Sequence, residues 1–151
     1  MNRENPRPGE CWIHFKGGHY SVIAIAKYSS RYFDDKSEVV IYTKSWVDIL
    51  NELANKSSFI ACDTENSYLF EVAKENDNWY LRPSDNPITN KSTSRKPIAW
   101  ARNLDNFMEV ISYPYGSELS STYRFSKKED LSIIEFTNEG GVLAFKPNQQ
   151  I

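Results

Sequence analysis

A β-rich α+β fold, a small twisted sheet or barrel carrying two helices and an inserted helix-plus-hairpin, is the architecture this chain predicts. Three observations predict it. Short alternating or continuous apolar runs, bounded by Gly, Asn, Asp or Pro, recur along the chain, which is the pattern of strands and turns. Helical periodicity is confined to the stretches after Ser45 and after Asn103. The third observation is size: 151 residues, 40% apolar and 14% aromatic, suffice for one domain with a substantial core. Residues 10–151 are expected to form that domain. A polar arm over residues 1–9, with two prolines, is expected to order only against something else.

The densest chemistry lies between Trp12 and Ala26. Ile13 and Phe15, then Tyr20 and Val22, alternate with polar positions, and Val22 to Ala26 is continuously apolar, as in a strand covered on both faces. Gly17-Gly18 can take positive φ and close a tight hairpin between the two runs. Strand alternation would put His14 and Lys16 on one face, an imidazole beside an ammonium. The competing reading is a half-buried sheet histidine and a solubilising edge lysine.

Lys27 to Ser37 carries Tyr28, Arg31, Tyr32 and Phe33 and is expected to fold back on the barrel, or else to form a lip over a ligand. Glu38 to Thr43 is a third strand. Ser45 is placed to accept from the N3 amide of a helix in which Trp46, Ile49, Leu50 and Leu53 make one apolar face laid across the sheet. Ser58 to Cys62, Ser67 to Ala73 and Asn78 to Arg82 read as strands, the last two as a hairpin in which Trp79 and Leu81 oppose Tyr68, Phe70 and Val72. Pro83 to Pro97 reads as a surface loop, with Lys91, Arg95 and Lys96 its positive charge.

Ile98 to Arg102 is a short strand. Asn103 can cap a following helix with Leu104, Phe107, Met108 and Ile111 as its stripe, stopped by a turn at Tyr113-Pro114-Tyr115-Gly116. Ser121 to Phe125 is a strand and Ser126 to Glu129 has the spacing of a capping box. Leu131 to Phe136 and Val142 to Phe145 are the closing strands. This last third is expected to add strands or to form the interface of a homo-oligomer.

Three of these pieces resemble one family. Trp12-Ile13-His14-Phe15-Lys16-Gly17-Gly18-His19-Tyr20-Ser21-Val22 is similar to the opening aromatic-x-His-Phe-Lys-Gly-x-x-Tyr-x-Val signature of the DUF1653 family, small bacterial and phage domains. Glu38-Val39-Val40-Ile41-Tyr42 resembles its Val-x-Tyr strand, and Trp100-Ala101-Arg102-Asn103-Leu104-Asp105-Asn106-Phe107 its closing Trp-x-Arg-Pro-Leu-x-x-Phe, with Asn103 in place of Pro. The match covers roughly half the chain. Residues 45–97 stand as an insertion where the family has a short connection. The resemblance implies a small β-rich domain and brings no reaction with it.

Charge and composition exclude several classes. A net charge of −2 argues against general duplex nucleic-acid binding, which draws on a basic excess. Cys11 and Cys62 make no disulfide framework, and residues 1–8 lack the apolar segment of a signal peptide, so the cytoplasm is the expected compartment. No apolar run reaches the roughly 20 residues of a membrane span, so no membrane partner is expected. The Asn55 and Asn90 sequons are read as chance.

No constellation specifies a reaction. Cys11, His14, His19 and Cys62 are a chemically possible zinc set, but their spacing is unlike paired ligand motifs. No activated-nucleophile signature, phosphate-cradling glycine loop or other cofactor motif occurs, and Asp34-Asp35 and Glu129-Asp130 sit in polar turns. What remains is a candidate ligand site of His14, Lys16, Tyr20, Tyr42, Trp100 and Arg102. An aromatic wall with cationic donors suits a planar anionic ligand, because a ring stacks on a base while Arg forks onto phosphate or carboxylate. The expected function is non-catalytic binding or sequestration of a small, nucleotide-like ligand, as in a signal-sequestering accessory protein of bacteria or phage. A protein-interaction module with an aromatic interface is the second expectation, and an enzyme acting on a nucleotide the third.

Overall fold

The computed structural model describes residues 3–84, 96–115, 118–136 and 142–147. Strands β1 (Cys11–His14) and β2 (His19–Tyr28) form the expected hairpin, with Trp12 opposite Tyr20. Gly17 takes the left-handed φ of 101° that the turn requires. Gly18 matters for a different reason: a Cβ there would lie 2.9 Å from Cε2 of Tyr20, so its missing side chain makes room for that ring. Because residues 15–18 are the turn itself, strand alternation ends at His14. Lys16 therefore reaches its neighbour through the turn, not along a strand face as the pattern suggested.

Strand β2 is long enough to serve two structures. Its first half pairs with β1, and its second half pairs with β3 (Glu38–Thr43) and, in parallel, with β6 (Asn78–Pro83). Between β3 and β6 lie β4 (Ser58–Asp63), β5 (Leu69–Glu75) and β7 (Ala99–Asn103). The order β2-β3-β7-β4-β5-β6, returned to β2, closes a six-stranded barrel. Residues 45–97 thus supply three of its staves. A register shift between Val22 and Ala24 lets Ile23 and Ala24 both join the inner cluster, which accounts for the unbroken apolar run.

The interior is sealed by Ile23, Ala26, Val39, Ile41, Phe59, Ala61, Phe70, Val72, Leu81, Ala99 and Ala101. Helix α1 (Trp46–Asn55) lies over one mouth and inserts Ile49, which is completely buried, with Trp46 and Leu53 half-buried beside it. Leu50, expected on that face, is instead 59% exposed, because a ten-residue helix on a narrow mouth buries one row of side chains. The expected Ser45 cap is also absent: its side chain makes no capping bond, and the Thr43 hydroxyl organises the turn by accepting from Ser45 N (3.2 Å) and donating to Ile98 O (2.9 Å). At the opposite mouth Phe33 folds back onto Tyr28 and Phe70, with ring centroids 5.3 and 5.8 Å away, while Tyr32 points to solvent.

Asn103 caps a second helix as expected, accepting from Asp105 N at 2.9 Å, but α2 is short (Leu104–Phe107). The expected stripe to Ile111 and the turn after it are replaced by strand β8 (Val110–Tyr115), paired with β9 (Glu118–Tyr123). Val110, Ile111, Tyr113 and Tyr115 are β-branched or aromatic, and pairing with β9 lets that strand preference win over helical spacing. Strand β10 (Phe125–Lys127) adds to the free edge of β1, then a 3-10 turn (Lys128–Asp130) stands where the capping box was read. Strands β11 (Leu131–Phe136) and β12 (Val142–Pro147) pair with each other. The surface loop expected over Pro83 to Pro97, with Lys91 and Arg95, falls largely outside the described residues.

Residues 3–9 are tied to the fold at both ends, Gly9 N donating to Val22 O at 2.8 Å. Arg3 donates to Phe125 O (2.8 Å) and Met108 O (2.7 Å) and covers the Tyr123 ring at 3.3 Å, and Pro6 is buried. No helix among the described residues is long and apolar enough to cross a membrane.

Candidate functional site

Alternate residues of β3 and β7 point outward. Tyr42 and Val40 of β3 lie opposite Trp100 and Arg102 of β7. On this outer face a second cluster forms, with Trp12, Val22, Val40, Tyr42, Phe107 and Phe125 buried and Tyr20 and Trp100 partly open. Its base is rigid: the Phe107 and Phe125 rings stack at 4.0 Å with planes 5° apart, and Trp12 meets Phe107 edge-on at 5.5 Å. Tyr42 stands on Phe107 and Phe125, at 5.5 and 5.3 Å, and is itself buried.

The open end of this cluster carries the predicted residues. Tyr20 meets Tyr42 at 5.3 Å and Trp100 at 5.7 Å, both edge-on, while Tyr42 and Trp100 stack at 6.0 Å. Arg102 is held by Tyr42 and by α2: Nε donates to Tyr42 Oη (3.2 Å) and Nη1 to Asn106 Oδ1 (2.6 Å). Neither oxygen carries a charge, so these contacts orient the guanidinium without cancelling it. Its face lies 5.6 Å from the Phe125 ring. Glu109 pairs with Arg124 (3.6 Å) and accepts from the Asn106 amide (3.4 Å).

His14 sits edge-on to Phe125 at 5.0 Å and against Phe15 at 4.5 Å. Burial, then the positive charges of Arg102, Lys16 and Arg124, lower its pKa to about 4. The imidazole is therefore neutral near pH 7. Its Nδ1 accepts from the Lys16 backbone N–H at 3.2 Å, which leaves the proton on Nε2 and makes that edge a donor. Lys16 itself is exposed, with Nζ 5.7 Å from the Phe15 ring.

Tyr20, Tyr42, Trp100, Arg102 and His14 thus gather on one outward patch, with Lys16 and Arg102 both within electrostatic reach of His14. Sequence reasoning missed the residues that set this geometry. Phe107 and Asn106 lie in the motif that begins at Trp100 but were read as core and connection, while no local pattern ties Arg124, just before β10, or Phe125, its first residue, to β3 and β7. Lys44 was missed too; its Nζ lies 5.3 Å from the Tyr20 ring. Among the described residues, no three or more of His, Cys, Asp and Glu are grouped to hold a metal. Comparison with family models, curated proteins and solved structures finds no match for this chain.

Proposed function

We propose that the outward patch binds the anionic group of a small, planar, nucleotide-like ligand, and that the protein sequesters this ligand without transforming it. The observation that carries the reading is Arg102, oriented by two neutral oxygens at the edge of a Tyr20–Tyr42–Trp100 wall. In the binding reading Arg102 forks onto phosphate or carboxylate, neutral His14 donates through Nε2, Lys16 adds charge from the turn, and a ring packs on the open part of Tyr20 and Trp100. The DUF1653-like pieces lie together on β1–β2, β3 and β7, and with the cytoplasmic compartment expected from the cysteine usage and N-terminal residues the reading is of an accessory protein of bacteria or phage. A second reading, a protein-interaction module, draws on the exposure of Val47 and Leu50 on α1.

A nucleotide panel tests the choice. Ligand should raise the melting temperature by mass action, and Arg102→Ala should weaken calorimetric binding by about 1.5 to 3 kcal/mol, the value of a hydrogen bond to a charged group. Arg102→Ala also frees Tyr42 Oη and Asn106, so affinities are compared well below its melting temperature. Absence of binding by every nucleotide, or an Arg102→Ala affinity equal to wild type, overturns the reading. Chemical change in the ligand on incubation would move the protein to the enzyme class.

A further inference from the structure

We infer that the binding patch continues across Trp100 into a groove at the α1 rim, and that patch and groove together take a dinucleotide-class ligand, two planar rings joined through a phosphodiester. This rests on the nucleotide-like reading of the patch and names the ligand class for it. The groove, of about 380 Å³, runs between the start of α1 and the start of β7 and is lined by Thr43, Lys44, Asp48, Cys62, Ile98 and Trp100. That is at the small end of ligand sites, enough for part of a ligand but not for a long one.

Two residues belong to both places. Trp100 walls the groove and packs on Tyr42 and Tyr20 in the patch. Lys44 lines the groove and holds its ammonium over Tyr20. The charges along this face are ordered. Arg102 lies two residues beyond Trp100 on the same side of β7, about 7 Å along the strand, Lys44 stands at the junction, and Asp48 in the first turn of α1 lines the groove side. A ligand with one anionic group at Arg102, a ring beside Trp100 and a linking phosphate at Lys44 would bring a second ring or sugar to Asp48. A carboxylate there repels a terminal phosphate but accepts hydrogen bonds from a sugar hydroxyl or an exocyclic amine. Uncharged donors therefore suit the far end, as a second nucleoside supplies. The net charge of −2 and the short groove favour this small ligand over a long single strand.

The test is calorimetry of the full chain with the four ribonucleoside 5′-monophosphates, the matching 5′-phosphorylated homodinucleotides and homopentanucleotides. At least one dinucleotide should bind about tenfold or more tighter than its mononucleotide. Lys44→Met, at an exposed position, should collapse that ratio to about one or two, and the pentanucleotide should gain nothing further. Equal affinity for mono- and dinucleotide, or a ratio unmoved in Lys44→Met, overturns the second subsite while leaving the first standing. Affinity that climbs steadily with length overturns it in favour of single-strand binding. If no mononucleotide binds, or Arg102→Ala leaves its affinity unchanged, the patch reading itself fails and the extension fails with it.

Discussion

The two sides of strands β3 and β7 carry opposite chemistry on one backbone. Inward, Val39, Ile41, Ala99 and Ala101 are aliphatic and nearly inaccessible; outward, Val40, Tyr42, Trp100 and Arg102 alternate with them and are mostly aromatic or charged. The inner side is closed by the barrel itself, with α1 and Phe33 over its mouths. The outer side is closed only at one end, where Trp12, Phe107 and Phe125 stack beneath Tyr42. Its other end leaves Tyr20, Trp100, Arg102 and His14 partly open. The same strands that make the barrel stable therefore present its polar patch, and each position along them is committed to one task by the period of two.

The comparison is broken most severely from the inside. Phe59→Ala, at a completely buried ring packed against Trp79 at 5.6 Å, should cost about 3 to 5 kcal/mol in urea unfolding. The folded fraction should keep its ligand affinity, and a binding loss beyond the unfolded fraction would mean that the two sides are not separable.

Gly18→Ala probes the outer side. The added Cβ meets Tyr20 at 2.9 Å, so the ring must shift, and the expected cost is about 1 to 3 kcal/mol from overpacking, with nucleotide affinity falling as well. Stability and affinity both equal to wild type would show that the Tyr20 ring does not need its place.

His14 sharpens the comparison through pH. Its folded pKa, about 4, lies below the ordinary value of 6.5, so its contribution to stability is present above pH 6.5 and is lost as pH falls from 6.5 towards 4. The urea midpoint should decline over that interval, and His14→Gln should flatten the decline. A bound anion offsets the three cations, so proton titration of the imidazole by NMR should move upward on adding nucleotide. An unmoved titration would place the anion away from His14.

The smallest effect belongs to α1. Leu50→Ala, at a side chain 59% exposed, should change stability by less than about 0.5 kcal/mol. A larger loss would put Leu50 in an interface with another chain or copy.

Much of this architecture was legible in local pattern. The Gly17 turn, the unbroken run to Ala26, the Glu38–Thr43 strand, the β5–β6 hairpin and the Asn103 cap each depend on residues within a few positions of one another. Helix length was misread after Asn103 because Leu104, Phe107 and Ile111 fit a helical period that β8 pairing overrode. Of the patch, the six predicted side chains could be named from composition and motif. Their scaffold could not, because Phe125 and Arg124 are brought to Tyr42 by an edge pairing that spans more than half the chain.

By itself, then, the sequence determined which residues of β3 and β7 share a face and where the first hairpin turns, since a period of two and the Gly17 conformation are local steric facts. Tertiary structure alone decided that β2 closes on β6 and β4 lies beside β7, both parallel pairings between distant segments. Those closures seal one side of β3 and β7 with aliphatic side chains. They leave the other side for α2 and β10 to cover in part, which is why Arg102 is both held and open: its position depends on a barrel that no local run of residues encodes.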